Sequence, residues 1–275
     1  MNGIAFGQFY PSNSVMHRLD PRMKIIIAIA YIVASFLCKN VISFALLLVS
    51  ALALILLSRI PVKIVLKSIK ALIFIMVFTA ILNVFWTKGD ANELLVSWKF
   101  IQIYTSGLYN AAFIVVRIIA MIIGTSIFLT YTTTPIQLTD ALEQLLSPLK
   151  VFKVPVHEFA MMMTIALRFI PTIVEETEKI MSAQKARGAD FTNGSLAKRA
   201  KALIPILIPL FISAFRRAGE LATAMTCRCY RGGEGRTKLN VLKFTWRDFI
   251  ALVLIAAFIA GIVLINIFAP GYTMR

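Results

Sequence analysis

Two short tracts place arginine where it could do chemistry or hold a partner. Lys185-Ala186-Arg187-Gly188 and Cys227-Arg228-Cys229-Tyr230-Arg231-Gly232-Gly233 each close a long helical pattern with helix-stopping residues. One reading is a plain C-cap: a cation in the last turn offsets the helix macrodipole, and glycine supplies the left-handed residue beyond it. The other reading is a docking knob. An arginine between small neighbours can enter a groove and offer five fixed N–H donors to carboxylates or carbonyls. Each tract alone fits a cap; two long helices with the same ending favour docking.

Other reactive types are sparse. His17 and His157 are the only histidines, and His157-Glu158 has no third ligand near it in sequence, so no metal site is expected. Cys38, Cys227 and Cys229 are too few for a disulfide framework, and Cys227-x-Cys229 is no zinc pattern without partner ligands. Gly235-Arg236-Thr237 mimics the tail of a phosphate-binding loop, but its lysine is missing and Tyr230 stands at the first-glycine position. The chain is therefore not expected to bind ATP by that device. Asp140, Glu143 and Glu158 are the acids near a predicted membrane boundary, and they form no motif. The expectation is no catalytic residue, no cofactor and no enzymatic activity.

Composition sets the surroundings of these tracts. Of 275 residues 59% are apolar and 15% charged, against roughly 45–50% and 25% in ordinary soluble domains. Mean hydropathy is +0.82. The 29 Lys and Arg against 13 Asp and Glu leave +16. On a polar chain that excess would suggest nucleic acid; here it points to a bilayer with a basic cytoplasmic side.

The elements follow from hydrophobic runs. Met1 to Lys24 lacks the shape of a signal peptide and reads as mature chain. Asp20 is the expected N-cap and Pro21 the first residue of a helix whose apolar run is Ile25 to Cys38, short enough that Lys24 and Lys39 must snorkel from its ends. Further spans are expected at Val41–Leu57, Ala71–Trp86, Leu108–Tyr131 and Phe249–Ala269. The basic stretch Ser58–Lys70, with Arg59, Lys63, Lys67 and Lys70, reads as a cytoplasmic surface segment. Between Thr87 and Gly107 the charges of Lys88, Asp90, Glu93 and Lys99 cancel, which puts that loop outside and the N-terminus inside. Trp86, Trp98, Tyr104 and Tyr109 would sit near the outer interface, Tyr131 and Trp246 near the inner one. Arg117 is the charge inside a span; pairing with helix carbonyls or Asn83 explains it as well as a transport role does.

Thr132 to Arg247 is cytoplasmic by its charge, and three helices can be read in it: Pro135–Leu146 capped by Thr134, Val156–Lys185, and Ser195–Cys229. Pro148, Pro155 and Asn193-Gly194 separate them. The last two are about 45–50 Å long at 1.5 Å per residue, the length of struts reaching from membrane into water with their tips away from it. On the first strut Phe159, Met162, Met163, Ala166, Phe169, Ile170 and Ile173 form an apolar stripe. Met161-Met162-Met163 is either core filler or an adaptable surface. Pro205 and Pro209 either bend the second strut or are accommodated at a helix junction, and Lys198, Arg199 and Lys201 fit a solvated, lipid-facing cluster.

Leu19-Asp20-Pro21-Arg22, the tip Ala186-Arg187-Gly188, and Tyr230-Arg231-Gly232-Gly233 after a second arginine together resemble the transmembrane T component of energy-coupling factor transporters, the EcfT or CbiQ-like family. The first tip matches the family's Ala-Arg-Gly signature residue by residue; Cys227-Arg228-Cys229 keeps the arginine and replaces both flankers. The resemblance implies a coupling scaffold with two ABC-type ATPase subunits, a membrane-embedded substrate-binding S component that can be exchangeable, and the lipid bilayer as partners. ATP would be bound by the partner subunits and the cargo would be a vitamin or metal ion. By the same resemblance Ala186, Arg187, Gly188, Cys227, Arg228 and Cys229 are the ATPase-docking residues.

The expected fold class is all-α: a polytopic membrane protein with about five transmembrane helices and a cytoplasmic coupling region of three helices, two of them long. Its expected parts are a four-helix membrane region (1–131), coupling helices ending in arginine tips (132–247) and a final transmembrane helix (248–275), in the plasma membrane of a prokaryote with the N-terminus and 132–247 cytoplasmic. The competing reading is a stand-alone secondary carrier or channel with a cytoplasmic regulatory hairpin. The carboxylate relay of a proton-driven carrier is missing from the predicted spans.

Overall fold

Asp20 accepts the backbone N–H of Arg22 and Pro21 follows as the first helical residue, so the first helix begins where its cap chemistry puts it. The computed structural model describes residues 9–86, 94–98, 101–189, 191, 195–232 and 242–268. Its helices are α1 (Pro21–Leu37), α2 (Val41–Ser58), α3 (Val62–Trp86), α4 (Thr105–Thr125), α5 (Pro135–Leu145), α6 (Val156–Ala186), α7 (Leu196–Cys227) and α8 (Trp246–Phe268). A π-helical turn, Ser126–Tyr131, continues α4. The all-α class expected from the sequence is borne out. One short antiparallel hairpin is added to it, β1 (Leu94–Trp98) with β2 (Ile101–Tyr104), in register from Trp98 opposite Ile101 to Val96 opposite Ile103. The expectations for residues 1–8, Lys88, Asp90, Glu93, Lys99, the Asn193-Gly194 break, Gly233, Gly235-Arg236-Thr237, Ala269 and the Trp98 side chain fall outside what is described.

Among the described residues six helices are long and apolar enough to cross a membrane: α2, α3, α4 with its π turn, α6, α7 and α8. α1 has 17 residues, about 26 Å against a hydrocarbon core of about 30 Å. The basic segment at 58–70 and the span after it are not separate elements. α3 runs unbroken from Val62 through Lys63, Lys67 and Lys70, because nothing between Pro61 and Trp86 stops a helix and lysine sustains one.

The chain divides into two compact units, Met1–Ala141 with Val241–Arg275, and Leu142–Asn240. In the first, α1 packs on α4 and α8, α2 on α4 and α8, and α3 on α4. The core between them is Tyr31, Ala34, Phe44, Leu47, Ala120, Ile123, Ile127, Tyr131 and Ile262. Gly124 lets α1 and α4 approach, since a Cβ there would overlap the Tyr31 ring. The outer face of α3 is apolar yet uncovered, with Phe74 80% exposed, as suits a surface that meets lipid tails.

α1 and α8 are parallel. At their starts the backbone N–H of Asp20 donates to Asp248 Oδ1 (2.8 Å), and at their ends Asn266 Nδ2 donates to the Leu37 carbonyl (2.7 Å). The end of α4 reaches the same level as those starts, because Lys24 Nζ donates to the Thr132 carbonyl at 2.7 Å. Lys24 therefore does not snorkel; it is buried against carbonyls of its own unit. The chain leaves α4 and enters α8 at one end of this unit, so Thr133–Thr245 contributes an even number of membrane crossings or none. Thr134 caps α5, as the sequence indicated, and Gln137 returns the bond to the Thr134 N–H.

In the second unit α6 and α7 pack along a ridge of Ile165, Phe169, Ile173 and Glu176 against Leu210, Ala214, Arg217, Ala218 and Leu221. They are antiparallel. Glu176 Oε2 meets Arg217 Nη2 at 2.5 Å, while Met161 and Thr164, earlier on α6, line a cavity with Met225 and Arg228, later on α7. α7 continues through Pro205 and Pro209 without a break.

Candidate functional site

Both arginine tracts end their helices with the same backbone geometry. At the first, Arg187 is the C-cap (φ −87, ψ 9) and its N–H reaches the carbonyls of Ala183 and Gln184. Gly188 follows at φ +86, its N–H on Lys185, and Ala189 N–H returns to Gln184 at 3.0 Å. At the second, Arg228 is the C-cap (φ −91, ψ 16). Cys229 N–H goes to Thr226 (2.9 Å) and Tyr230 N–H to Met225 (3.1 Å). These paired returns close a helix by the Schellman pattern. Cys229 occupies the left-handed position at φ 55, so cysteine holds the cap that glycine holds at the first tip. A residue with a Cβ costs about 1–2 kcal/mol there.

Ala186, Arg187, Gly188, Cys227, Arg228 and Cys229 are all exposed. Among the described residues no side chain holds either guanidinium. Antiparallel packing sends the two tips opposite ways: Arg228 lines a cavity with Thr164, and Arg187 lies about six turns further along α6, roughly 35 Å. This corrects the picture of two struts pointing the same way. The cavity at the second tip, about 570 Å³, is lined by Met161, Thr164, Ile165, Met225, Tyr230 and Arg231 among others. Met162 and Met163 are exposed and not core filler. Of the expected stripe on α6, Phe169 and Ile173 face α7, whereas Phe159, Met162, Met163 and Ala166 are exposed.

The Leu19-Asp20-Pro21-Arg22 motif has a clear structural task. Asp20 caps α1 and receives Arg22 Nε (3.3 Å), Arg22 Nη2 donates to the Leu242 carbonyl (2.6 Å), and the guanidinium lies over the Phe244 ring. Asp248, fully buried, takes the N–H groups of Asp20 and Thr245 (both 2.8 Å). The entry to α8 is thereby clamped to the start of α1. Sequence reading missed Asp248; the signal was a carboxylate three residues after Thr245 at the head of an apolar helix.

Arg117 donates to the Cys38 carbonyl (3.0 Å) and stacks over Phe44 and Phe36. Cys38 is the C-cap of α1, so the carbonyl pairing is the observed one. Asn83 instead bonds the Thr79 carbonyl on its own helix. His157 Nδ1 and Glu143 Oε1 form a hydrogen bond of 2.9 Å that ties the start of α6 to the preceding helical turns. Asp140 and Glu158 are not joined to it.

The sequence matches the CbiQ family, described as a cobalt transport protein, over residues 12–239. It is 52% identical over 248 residues to the energy-coupling factor transporter transmembrane protein EcfT of Clostridium kluyveri, covering 90% of this chain and 91% of that one. The EcfT proteins of Ruminiclostridium cellulolyticum (50% identical; 96% and 97% covered) and Bacillus subtilis (45%; 94% and 97%) are similar over nearly the whole length. The chain belongs to the CbiQ/EcfT family. It is thus the transmembrane component of an energy-coupling factor transporter and a multi-pass protein of the cell membrane. Its relatives are named as transporter components and not as enzymes.

Proposed function

We propose that this EcfT-type chain is the coupling scaffold of an importer: it carries ATP-driven motion of two cytoplasmic ABC-type ATPase subunits to a membrane-embedded S component that binds a vitamin or metal ion. The observation that carries this reading is the pair of exposed arginine caps, alike in backbone geometry and set at opposite ends of α6 and α7. Two separated cationic ends suit two motor subunits, one at each end, and a helix pair between them suits the transfer of a lever-like displacement. Ala186 and Gly188 at one tip, Cys227 and Cys229 at the other, keep the surroundings of Arg187 and Arg228 small enough for a groove. In this reading 132–247 is cytoplasmic, as is the N-terminus. The exposed Phe159, Met162 and Met163 offer a surface that could serve more than one S component.

The test is co-purification of the chain with its ATPases and S component from mild detergent. Arg187→Glu together with Arg228→Glu is expected to abolish ATPase recovery while the chain still inserts. Unchanged recovery would overturn the docking role. The carrier alternative predicts solute transport by the purified chain alone in liposomes, whereas a coupling scaffold is inert until all subunits are present.

A further inference from the structure

We infer that Cys227 and Cys229 form a reversible dithiol switch on the second arginine tip, oxidised by a hydroperoxide, whose disulfide state is incompatible with the capped Arg228. The inference rests on the docking role proposed above only for its consequence, not for its chemistry. Both thiols are free and exposed, and they flank the arginine directly. Cα atoms two residues apart lie within about 7 Å, which is disulfide reach. Cys227 is the last residue of α7 and Cys229 lies past the C-cap at φ 55, so a bridge across the one intervening residue closes a small ring that dictates the backbone torsions of 227–229 itself. Joining the sulfurs therefore requires residues 227–229 to leave the conformation that places Arg228 N–H on Ala224 and Met225, Cys229 N–H on Thr226 and Tyr230 N–H on Met225. The cap and the disulfide exclude one another.

Cys229 already sits in the left-handed region, a conformation that β-carbon-bearing residues leave readily. A bridge made under such constraint is easily reduced, the behaviour of regulatory and not structural disulfides, and in a reducing compartment it forms only transiently, while oxidant is present. The chemistry balances. One thiolate attacks the peroxide, cleaving O–O and leaving a sulfenic acid and, for hydrogen peroxide, hydroxide that takes up the thiol proton as water. The second thiolate displaces the sulfenic hydroxyl, forming S–S and releasing a second water. Two thiols are oxidised by two electrons and the peroxide is reduced.

The full chain in nanodiscs supplies its own control, because Cys38 is buried and donates to the Ala34 carbonyl. Mild hydrogen peroxide is expected to remove the two tip thiols with loss of two hydrogens in the intact mass, and a dithiol reductant to restore both. Oxidised chain should retain the ATPases at least tenfold less than reduced chain. Cys227→Ala with Cys229→Gly, which recreates Ala-Arg-Gly, should retain them equally with or without peroxide. Stepwise addition of oxygen without an internal bond, or equal ATPase retention by oxidised and reduced chain, overturns the switch. If reduced chain and the double variant both fail to hold the ATPases, the docking role falls, and the thiol count and mass still decide whether the disulfide forms.

Discussion

Asp248 Oδ1 accepts the backbone N–H of Asp20 across 228 residues of chain, at 2.8 Å, with Asp248 fully buried. Its other oxygen takes Thr245 N–H, so one carboxylate caps α8 and fastens it to the start of α1. Asp248→Asn keeps one acceptor and turns an NH₂ toward a backbone donor. The expected cost is about 1–3 kcal/mol, the penalty of leaving a buried donor unsatisfied, read as a lower unfolding temperature of the purified chain. Asp248→Ala should cost at least as much. A variant as stable as the parent would show that water serves both N–H groups equally well.

Much of this architecture was legible because helix punctuation is local. Asp20-Pro21, Thr134 and Ser195 begin helices where their side chains and φ angles dictate. What the sequence hid was relational. The three- and four-residue spacing of the lysines at 63, 67 and 70 marks one helix face, but it does not show that this helix is the start of α3 and not a separate surface segment. The tips at Arg187 and Arg228 are marked by their cap residues, but their opposed directions follow from the antiparallel packing of α6 on α7, with Glu176 on Arg217 and Thr164 near Arg228. The cap that Asp248 makes on Thr245 is local and legible, whereas its second bond, to the backbone N–H of Asp20 more than two hundred residues away, is not.

Arg117 presents a different case, a charge inside an apolar helix. Its Nη2 satisfies the carbonyl that closes α1, and the rings of Phe36 and Phe44 shield its face. Arg117→Ala leaves the Cys38 carbonyl without that donor and is expected to destabilise the chain by about 1–3 kcal/mol, with Arg117→Lys recovering part of it. ATPase recovery per folded chain should be unchanged, measured by the same co-purification. A loss of recovery with unaltered thermal stability would assign the residue a role in transport instead.

The two caps make a prediction of opposite sign at matching positions. Gly188 is at φ +86 with open space around it, so Gly188→Ala meets no neighbour and pays only for backbone strain, about 1–2 kcal/mol. Cys229→Gly relieves strain of the same kind and should stabilise its tip by about 1 kcal/mol. Amide hydrogen exchange at residues 187–189 and 228–230 reads both: faster in the first variant, slower in the second. The same direction of change at both tips would mean that the caps are not equivalent.

The parallel pairing of α1 with α8 constrains topology without reference to charge. Both helices start at one end of their unit, as the Asp20–Asp248 and Leu37–Asn266 contacts require, and α4 finishes at that end through Lys24 and Thr132. Residues 133–245 therefore begin and end on one side of the membrane. With Arg22, Lys24, Arg59 and Lys63 near the ends of helices there, the positive-inside rule predicts that this side is cytoplasmic. Cys227 and Cys229 are exposed reporters already in place. In sealed right-side-out vesicles a membrane-impermeant maleimide should leave both unlabelled, and in inverted vesicles it should label both and spare buried Cys38. A single cysteine at position 194, placed in the Cys227→Ala, Cys229→Gly background, should give the same pattern. If position 194 labels only from outside while the tip thiols label only from inside, α6 and α7 cross the bilayer, and the even count is two instead of none.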